Sequence, residues 1–322
     1  MKNFLIVLTF VSVAALAAQA QTEAAPVEVL STELAQPSLG QRSISEKLFF
    51  IDQNTSRLQI TPGVVTTKST YKSRAATFSR ETTTQIFNFA FEKGISESEI
   101  ALGFSTSFAN NKVEQKRNKT TNEFKNSGLG DIQLEIKGIS ENSKSNLIYG
   151  GALTLSPGNA EYAYRTQDGN MYSGGTSFKP FLNYESETSI GSAGLMASYQ
   201  FWGQRKTVGR PGDDEIKSGG NVLAFGAFTE YALTSTRLGL AANYEMTAST
   251  DYEITEDFEK FESDGDATQN LTLSAYGRFD LSKTSSIKPE ISYDQLLSKN
   301  INGVDIDKNE SIDTSIALAV NF

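Results

Sequence analysis

The feature that most constrains this chain is a strict period-two exchange of apolar and polar residues, sustained in segments long enough to cross a bilayer. In the last segment, Ile312, Thr314, Ile316, Leu318, Val320 and Phe322 fall on one face, and Asp313, Ser315, Ala317, Ala319 and Asn321 fall on the other. Successive side chains of a strand point to opposite sides, so such a segment carries one apolar and one polar surface. A tilted strand of about ten residues with that pattern is the unit of a transmembrane barrel. The same exchange recurs from Asp131 to Lys137, from Arg237 to Met246 and from Leu271 to Asp280.

Segments of this kind fall at 57–66, 82–93, 97–108, 128–138, 145–156, 175–186, 189–202, 219–232, 235–248, 269–281, 284–297 and 310–322. The connections after every second segment are short: Gly94-Ile95-Ser96, Ile139–Lys144, Glu187-Thr188, Leu233-Thr234 and Ser282-Lys283. The others, 67–81, 109–127, 157–174, 203–218, 249–268 and 298–309, are long and polar. Short turns at one end and long loops at the other are the asymmetry of an outer-membrane barrel, and an even strand count returns both termini to the periplasm. The expected fold is therefore all-β, an antiparallel up-and-down transmembrane barrel of about twelve strands spanning 57–322.

The N-terminal residues agree with export. Met1-Lys2-Asn3 gives a positive head, Phe4 to Ala18 is largely apolar, and Ala18-Gln19-Ala20 reads as a small-x-small cleavage site. Residues 1–20 are read as a cleavable secretory signal peptide. Residues 21–56, with Pro26 and Pro37 and no sustained period, are read as a periplasmic segment, either flexible or lodged in the lumen as a plug. Phe322, preceded by Val320 and Leu318 on the same face, fits the terminal insertion signal that the barrel-assembly machinery recognises. Outer-membrane lipid, lipopolysaccharide and a small solute are the other expected partners.

Composition removes several function classes. The formal charge is −9, a poor basis for nucleic-acid binding, which needs a basic footprint. There is no Cys and no His, so disulfides, thiolate chemistry and His-dependent hydrolysis by a Ser-His or Asp-His pair are unavailable. No cofactor, metal site or catalytic residue is expected, and the chain is not read as an enzyme. An acidic run, Asp305-x-Asp307-x-Asn309, echoes a calcium loop, but Glu310 stands where the sharp-turn glycine belongs. The acidic loop containing Glu256, Asp257, Glu259, Glu262, Asp264 and Asp266, and the cluster Asp213, Asp214 and Glu215, are read as solvated, with bridging to lipopolysaccharide through divalent cations as the alternative.

If the apolar faces meet lipid, the lumen carries Asp131, Glu135, Lys137, Lys179, Glu185, Glu230, Arg237, Glu245, Arg278, Asp280, Lys288, Glu290, Asp294 and Asp313. Turned outward, a cation would cost roughly 2–4 kcal/mol at the bilayer midplane. Carboxylates outnumber cations in that set, which suits both a cross-strand ladder of ion pairs and a polar, cation-tolerant conduit. Pro62, Pro180 and Pro289 fall inside strands on the outward parity. Proline cannot donate to a ladder, so each is expected to mark a bulge or kink, and a kink could open a lateral exit for an apolar solute. Tyr199, Phe201, Trp202, Tyr244 and Tyr293 near the loop ends, and Tyr184, Tyr231, Phe279 and Phe322 near the turn ends, are expected to form two interfacial girdles.

The stretch Ser127-Gly128-Leu129-Gly130-Asp131-Ile132-Gln133-Leu134, followed by Leu147 to Pro157-Gly158, resembles the "MetA-pathway of phenol degradation" outer-membrane family, related to the long-chain fatty-acid and aromatic-hydrocarbon transporters. That family has a Thr between its Pro and Gly, and this chain does not. The resemblance implies a twelve-stranded barrel that takes up small or apolar molecules, without naming a substrate. Three functions stay open: a channel for small, apolar or aromatic molecules, a general polar porin, and a structural or adhesive barrel with long outer loops.

Overall fold

The computed structural model describes residues 41–72, 77–95, 99–117, 120–161, 169–209, 213–233, 236–256, 259–298, 300–301 and 304–322. The signal peptide expected at 1–20 and the stretch 21–40 lie outside the described residues.

The alternating segments become β1 (Ser56–Lys72), β2 (Thr77–Gly94), β3 (Ile100–Arg117), β4 (Thr120–Leu129), β5 (Ile132–Asn142), β6 (Ser145–Leu155), β7 (Ala160–Glu161), β8 (Thr176–Thr188), β9 (Gly191–Trp202), β10 (Arg205–Val208), β11 (Asp214–Gly219), β12 (Val222–Ala232), β13 (Thr236–Thr247), β14 (Thr250–Glu256), β15 (Glu259–Gly265), β16 (Thr268–Asp280), β17 (Ser285–Leu296), β18 (Asn300–Ile301) and β19 (Val304–Asn321). Twelve of them pair antiparallel in the order β1, β2, β3, β5, β6, β8, β9, β12, β13, β16, β17, β19. β19 then pairs back onto β1, so the wall closes and leaves no open edge. At the seam the main chains of Ser56 and Phe322 exchange two hydrogen bonds, of 2.7 and 2.8 Å.

Exposure fixes which face is which. On β19, Ile316 is 56% exposed and Leu318 45%, whereas Ala317 is 4% and Ala319 3%. The apolar residues therefore point out of the barrel and the small and polar ones point in. The outward band includes Phe87, Phe89, Leu102, Phe104, Ile136, Leu182, Leu195, Leu240 and Ile291. Trp202 departs from the expected girdle: it lies on the inward parity beside outward Phe201, with the Arg205 guanidinium 4.8 Å from its ring.

Two of the long loops are not loops. Residues 67–72 and 77–81 continue β1 and β2, and residues 109–117 and 120–127 pair as a second long hairpin. Thr-rich sequence such as Thr66-Thr67-Lys68-Ser69-Thr70 favours extended pairing even where both faces are polar. Alternation of hydropathy therefore stops where the apolar band stops, while the ladder runs on. Lys68–Glu81 (3.5 Å) and Lys112–Glu123 (3.1 Å) bridge these extensions. Parts of three other long connections fold into a separate sheet, ordered β15-β14-β11-β10-β7.

The Gly128–Asp131 motif marks a slip between strands. Phe108 of β3 pairs with Leu129 and Ser105 with Gln133, so the register changes by one across the break from β4 to β5. Asp131 lies in that break and accepts from the Ser173 amide at 3.1 Å.

The prolines produce no bulge. The β1–β19 ladder skips Thr61 and Pro62 and resumes at Gly63 in unchanged register. The β8–β9 ladder skips Lys179 and Pro180, and the β16–β17 ladder skips Lys288 and Pro289, again without a shift. Each proline keeps its pairing on its other side, so the missing donor is absorbed as a local gap rather than as an extra residue.

Candidate functional site: an interior hairpin and a charged floor

Residues 41–55 supply no barrel strand. Gln41 bridges Ile51 and the Arg42 amide donates to the Phe50 carbonyl at 2.9 Å, so 41–51 is a small hairpin. Its tip meets inward side chains near the short-turn end of the barrel. Leu48, Phe50 and Ile51 are buried in one cluster with Ala101, Ile139, Ile148 and Phe228 of the wall. Where the segment leaves the hairpin it passes Gly94 so closely that a Cβ there would lie 2.0 Å from the Asp52 carbonyl oxygen. That contact requires glycine.

Two wall carboxylates hold the tip through its main chain. Glu185 on β8, fully buried, accepts from the amides of Ile44 (2.7 Å) and Ser45 (2.9 Å), from the Ser45 hydroxyl and from Asn146 Nδ2 (2.8 Å). Glu230 on β12 accepts from the amides of Glu46 (2.9 Å) and Lys47 (2.8 Å) and from the Tyr276 hydroxyl (2.9 Å). Arg237 lies 3.7 Å from Glu230 and donates to the Ile44 carbonyl. A buried carboxylate is tolerated when its lone pairs are filled by such donors.

Glu46 reverses the arrangement, a hairpin carboxylate held by wall cations. It meets Arg278 at 3.0 Å, Arg57 at 3.6 Å and Lys288. Arg278 also bonds Asp280 (2.6 Å) and Gln41 (2.8 Å). Lys137 joins Glu92 at 2.9 Å to the Phe49 carbonyl at 2.8 Å, and Lys47 reaches Glu290 at 3.2 Å. Phe49 lies against Arg57, 3.5 Å from ring centre to guanidinium carbon.

The structure thus gathers eight of the fourteen inward charges read from the sequence around this hairpin: Lys137, Glu185, Glu230, Arg237, Arg278, Asp280, Lys288 and Glu290. Among the other six, Glu245 accepts from Asn243 at 3.1 Å and Asp294 from the Ser311 and Thr272 hydroxyls. Asp313, Lys179 and Glu135 are half-buried on inward positions, away from the floor contacts. Asp131 serves the loop. Sequence reasoning missed Arg42, Glu46, Lys47, Phe49, Arg57 and Glu92. The available signal was positional, because the gathered charges crowd toward strand ends at the short-turn side, a concentration that calls for countercharges.

A cavity of about 450 Å³ lies between the hairpin tip and the wall, lined among others by Phe49, Arg57, Glu92, Glu135, Phe181 and Ser315. Its size falls in the range of small-molecule sites, roughly 300–1,000 Å³.

No family model and no curated protein matches the chain. Among solved structures it is similar to the COG4313 outer membrane channel from Pseudomonas putida F1, with a TM-score of 0.55 and 10% identity over 89% of this chain and 100% of that one. It is also similar to the transport unit of the autotransporter AIDA-I from Escherichia coli, with a TM-score of 0.52 and 12% identity over 88% of this chain and 94% of that one. A mutant of the TodX monoaromatic hydrocarbon channel matches at a TM-score of 0.43 and 10% identity, over 84% of this chain and 91% of that one. The first two likenesses agree with the ladder in making this chain a closed antiparallel barrel of the outer-membrane kind.

Proposed function

We propose that the chain is an outer-membrane channel for small solutes, closed at its periplasmic end by the 41–51 hairpin acting as a plug. The observation that carries this reading is how the hairpin is attached. Its tip is held by side chains, chiefly Glu185, Glu230 and the three cations on Glu46, so it can leave without breaking one pairing of the barrel wall. The outward apolar band fits a bilayer, and the long hairpins and the second sheet face the cell exterior, where lipopolysaccharide is the neighbouring surface. The charged cavity wall favours polar solutes over apolar ones for passage along the axis.

Planar-bilayer recording tests the plug. The wild-type barrel is expected to conduct little, and the Glu185→Gln, Glu230→Gln double variant, which weakens the acceptors for four main-chain amides, is expected to conduct several-fold more. Equal conductance in the two proteins would count against the plug.

A second reading keeps the apolar solute implied by the family resemblance. Pro62 and Pro289 flank Ile316 on the two neighbours of β19, and each leaves a two-pair gap in the wall. Those gaps would serve as sideways exits. Replacing both prolines with Val, which restores the amide donors, is expected to slow uptake of a monoaromatic probe into cells while leaving conductance unchanged; unaltered uptake removes this reading.

A further inference from the structure

One row of inward positions is continuous across four strands: Arg57 on β1 pairs with Glu92 on β2, Glu92 with Gly103 on β3, and Gly103 with Glu135 on β5. All four line the cavity. The charges of this row do not cancel. Glu92 is taken by Lys137. Arg57 is 5% exposed, its Nη2 donates to Gln59 at 2.9 Å, and its nearest carboxylate is the Glu46 oxygen that Lys288 already occupies. The Arg57 Nε–H has no acceptor. At the other end, Glu135 makes no hydrogen bond or ion pair with any described residue.

Gly103 gives Glu135 its direction. A Cβ at Gly103 would lie 3.3 Å from both Cβ and Oε2 of Glu135, so the carboxylate lies across the glycine, on the side toward Glu92 and Arg57. The next row of the wall, Gln59, Ala90, Ser105 and Gln133, is uncharged. The buried Arg57 donor without an acceptor costs free energy, and one solute carrying both complementary groups would fill it while meeting the unpaired Glu135 carboxylate at the other end.

We propose that this row binds a small zwitterion, with its carboxylate on Arg57 and its ammonium on Glu135. The proposal deepens the channel reading, on which it rests for the solute's passage. Three strand spacings separate the two main chains, roughly 14 Å, and the side chains close in from both ends. The charges of the solute are therefore several bonds apart, as in an ω-amino acid, and its methylene chain crosses the gap left by Gly103. The carboxylate displaces the Phe49 ring that now covers the guanidinium.

Calorimetry on the full-length barrel in detergent tests this with three probes: 6-aminohexanoate, hexanoate and hexylamine. The zwitterion is expected to bind at least tenfold tighter than either singly charged analogue. Glu135→Gln should remove that advantage and leave hexanoate binding unchanged, and Gly103→Ala, which crowds the carboxylate, should weaken the zwitterion alone. Equal binding of the three probes, no binding of any, or an unaffected Glu135→Gln variant overturns the proposal. Bilayer conductance without zwitterion preference would leave the channel reading standing and this site refuted, whereas zwitterion binding in a barrel that never conducts would do the opposite.

Discussion

Glu46→Ala is expected to release the hairpin from the barrel. The carboxylate is 8% exposed and is the shared partner of Arg57, Arg278 and Lys288. Removing one member of a buried ionic group leaves the others uncompensated, at a cost of about 3–5 kcal/mol. Arg278 keeps Asp280, but Arg57 and Lys288 lose their only carboxylate among the described residues. That cost falls on the seated state of the hairpin, not on the wall, since both cations reach water once the hairpin departs. Limited trypsinolysis reads the result directly, because Arg42 and Lys47 are protected only while the hairpin is seated. The variant should be cut there much faster than the wild type, with an unchanged melting midpoint for the barrel, and Glu46→Gln should behave likewise because it keeps the shape and loses the charge. Undiminished protection in both variants would mean that the apolar cluster around Phe50 and Ile51 holds the hairpin alone.

The wall was legible because its physics is local. Alternation in 312–322 gives face, length and direction without knowledge of any other strand, and turn lengths order the rest. The ends of the strands were not legible: hydropathy reports the apolar band, and the Thr-rich extensions of β1 and β2 pair beyond it. The proline gaps show the same limit, since a sequence states that a donor is missing but not which neighbour goes without it. The site was half legible. Parity placed Glu185, Glu230, Arg278 and Lys288 inside, yet nothing periodic marks Ser43 to Phe49, and Glu46 becomes informative only when three strands deliver cations to one point.

Deleting Phe322 is the second change with a large expected effect. Its side chain is 69% exposed at the turn end, and its main chain completes the seam with Ser56. Loss of the residue removes both of those hydrogen bonds and the last aromatic of the apolar face, next to the ladder that joins the first and last strands. The barrel-assembly machinery is expected to handle the shortened chain poorly, lowering the amount in the outer membrane at least tenfold. Once folded in detergent, the remaining β1–β19 pairing from Arg57↔Asn321 onward should keep the barrel closed. Surface quantification alongside detergent refolding separates the two effects, and a normal surface level would show that the terminal aromatic carries no assembly signal.

The hairpin's anchors lie on β5, β8, β12, β13, β16 and β17, strands scattered through more than half of the chain. Arg57 on β1 adds an anchor on the far side of β19 from β17, so the seat is complete only when β19 joins those two strands and the sheet curls shut. The portion of the polypeptide made before any strand must therefore wait for the last strand to arrive. Its docking joins residues up to 243 apart in sequence, but it needs the seam from Arg57 to Asn321 already closed, and it should appear as the final phase of folding, later than closure itself.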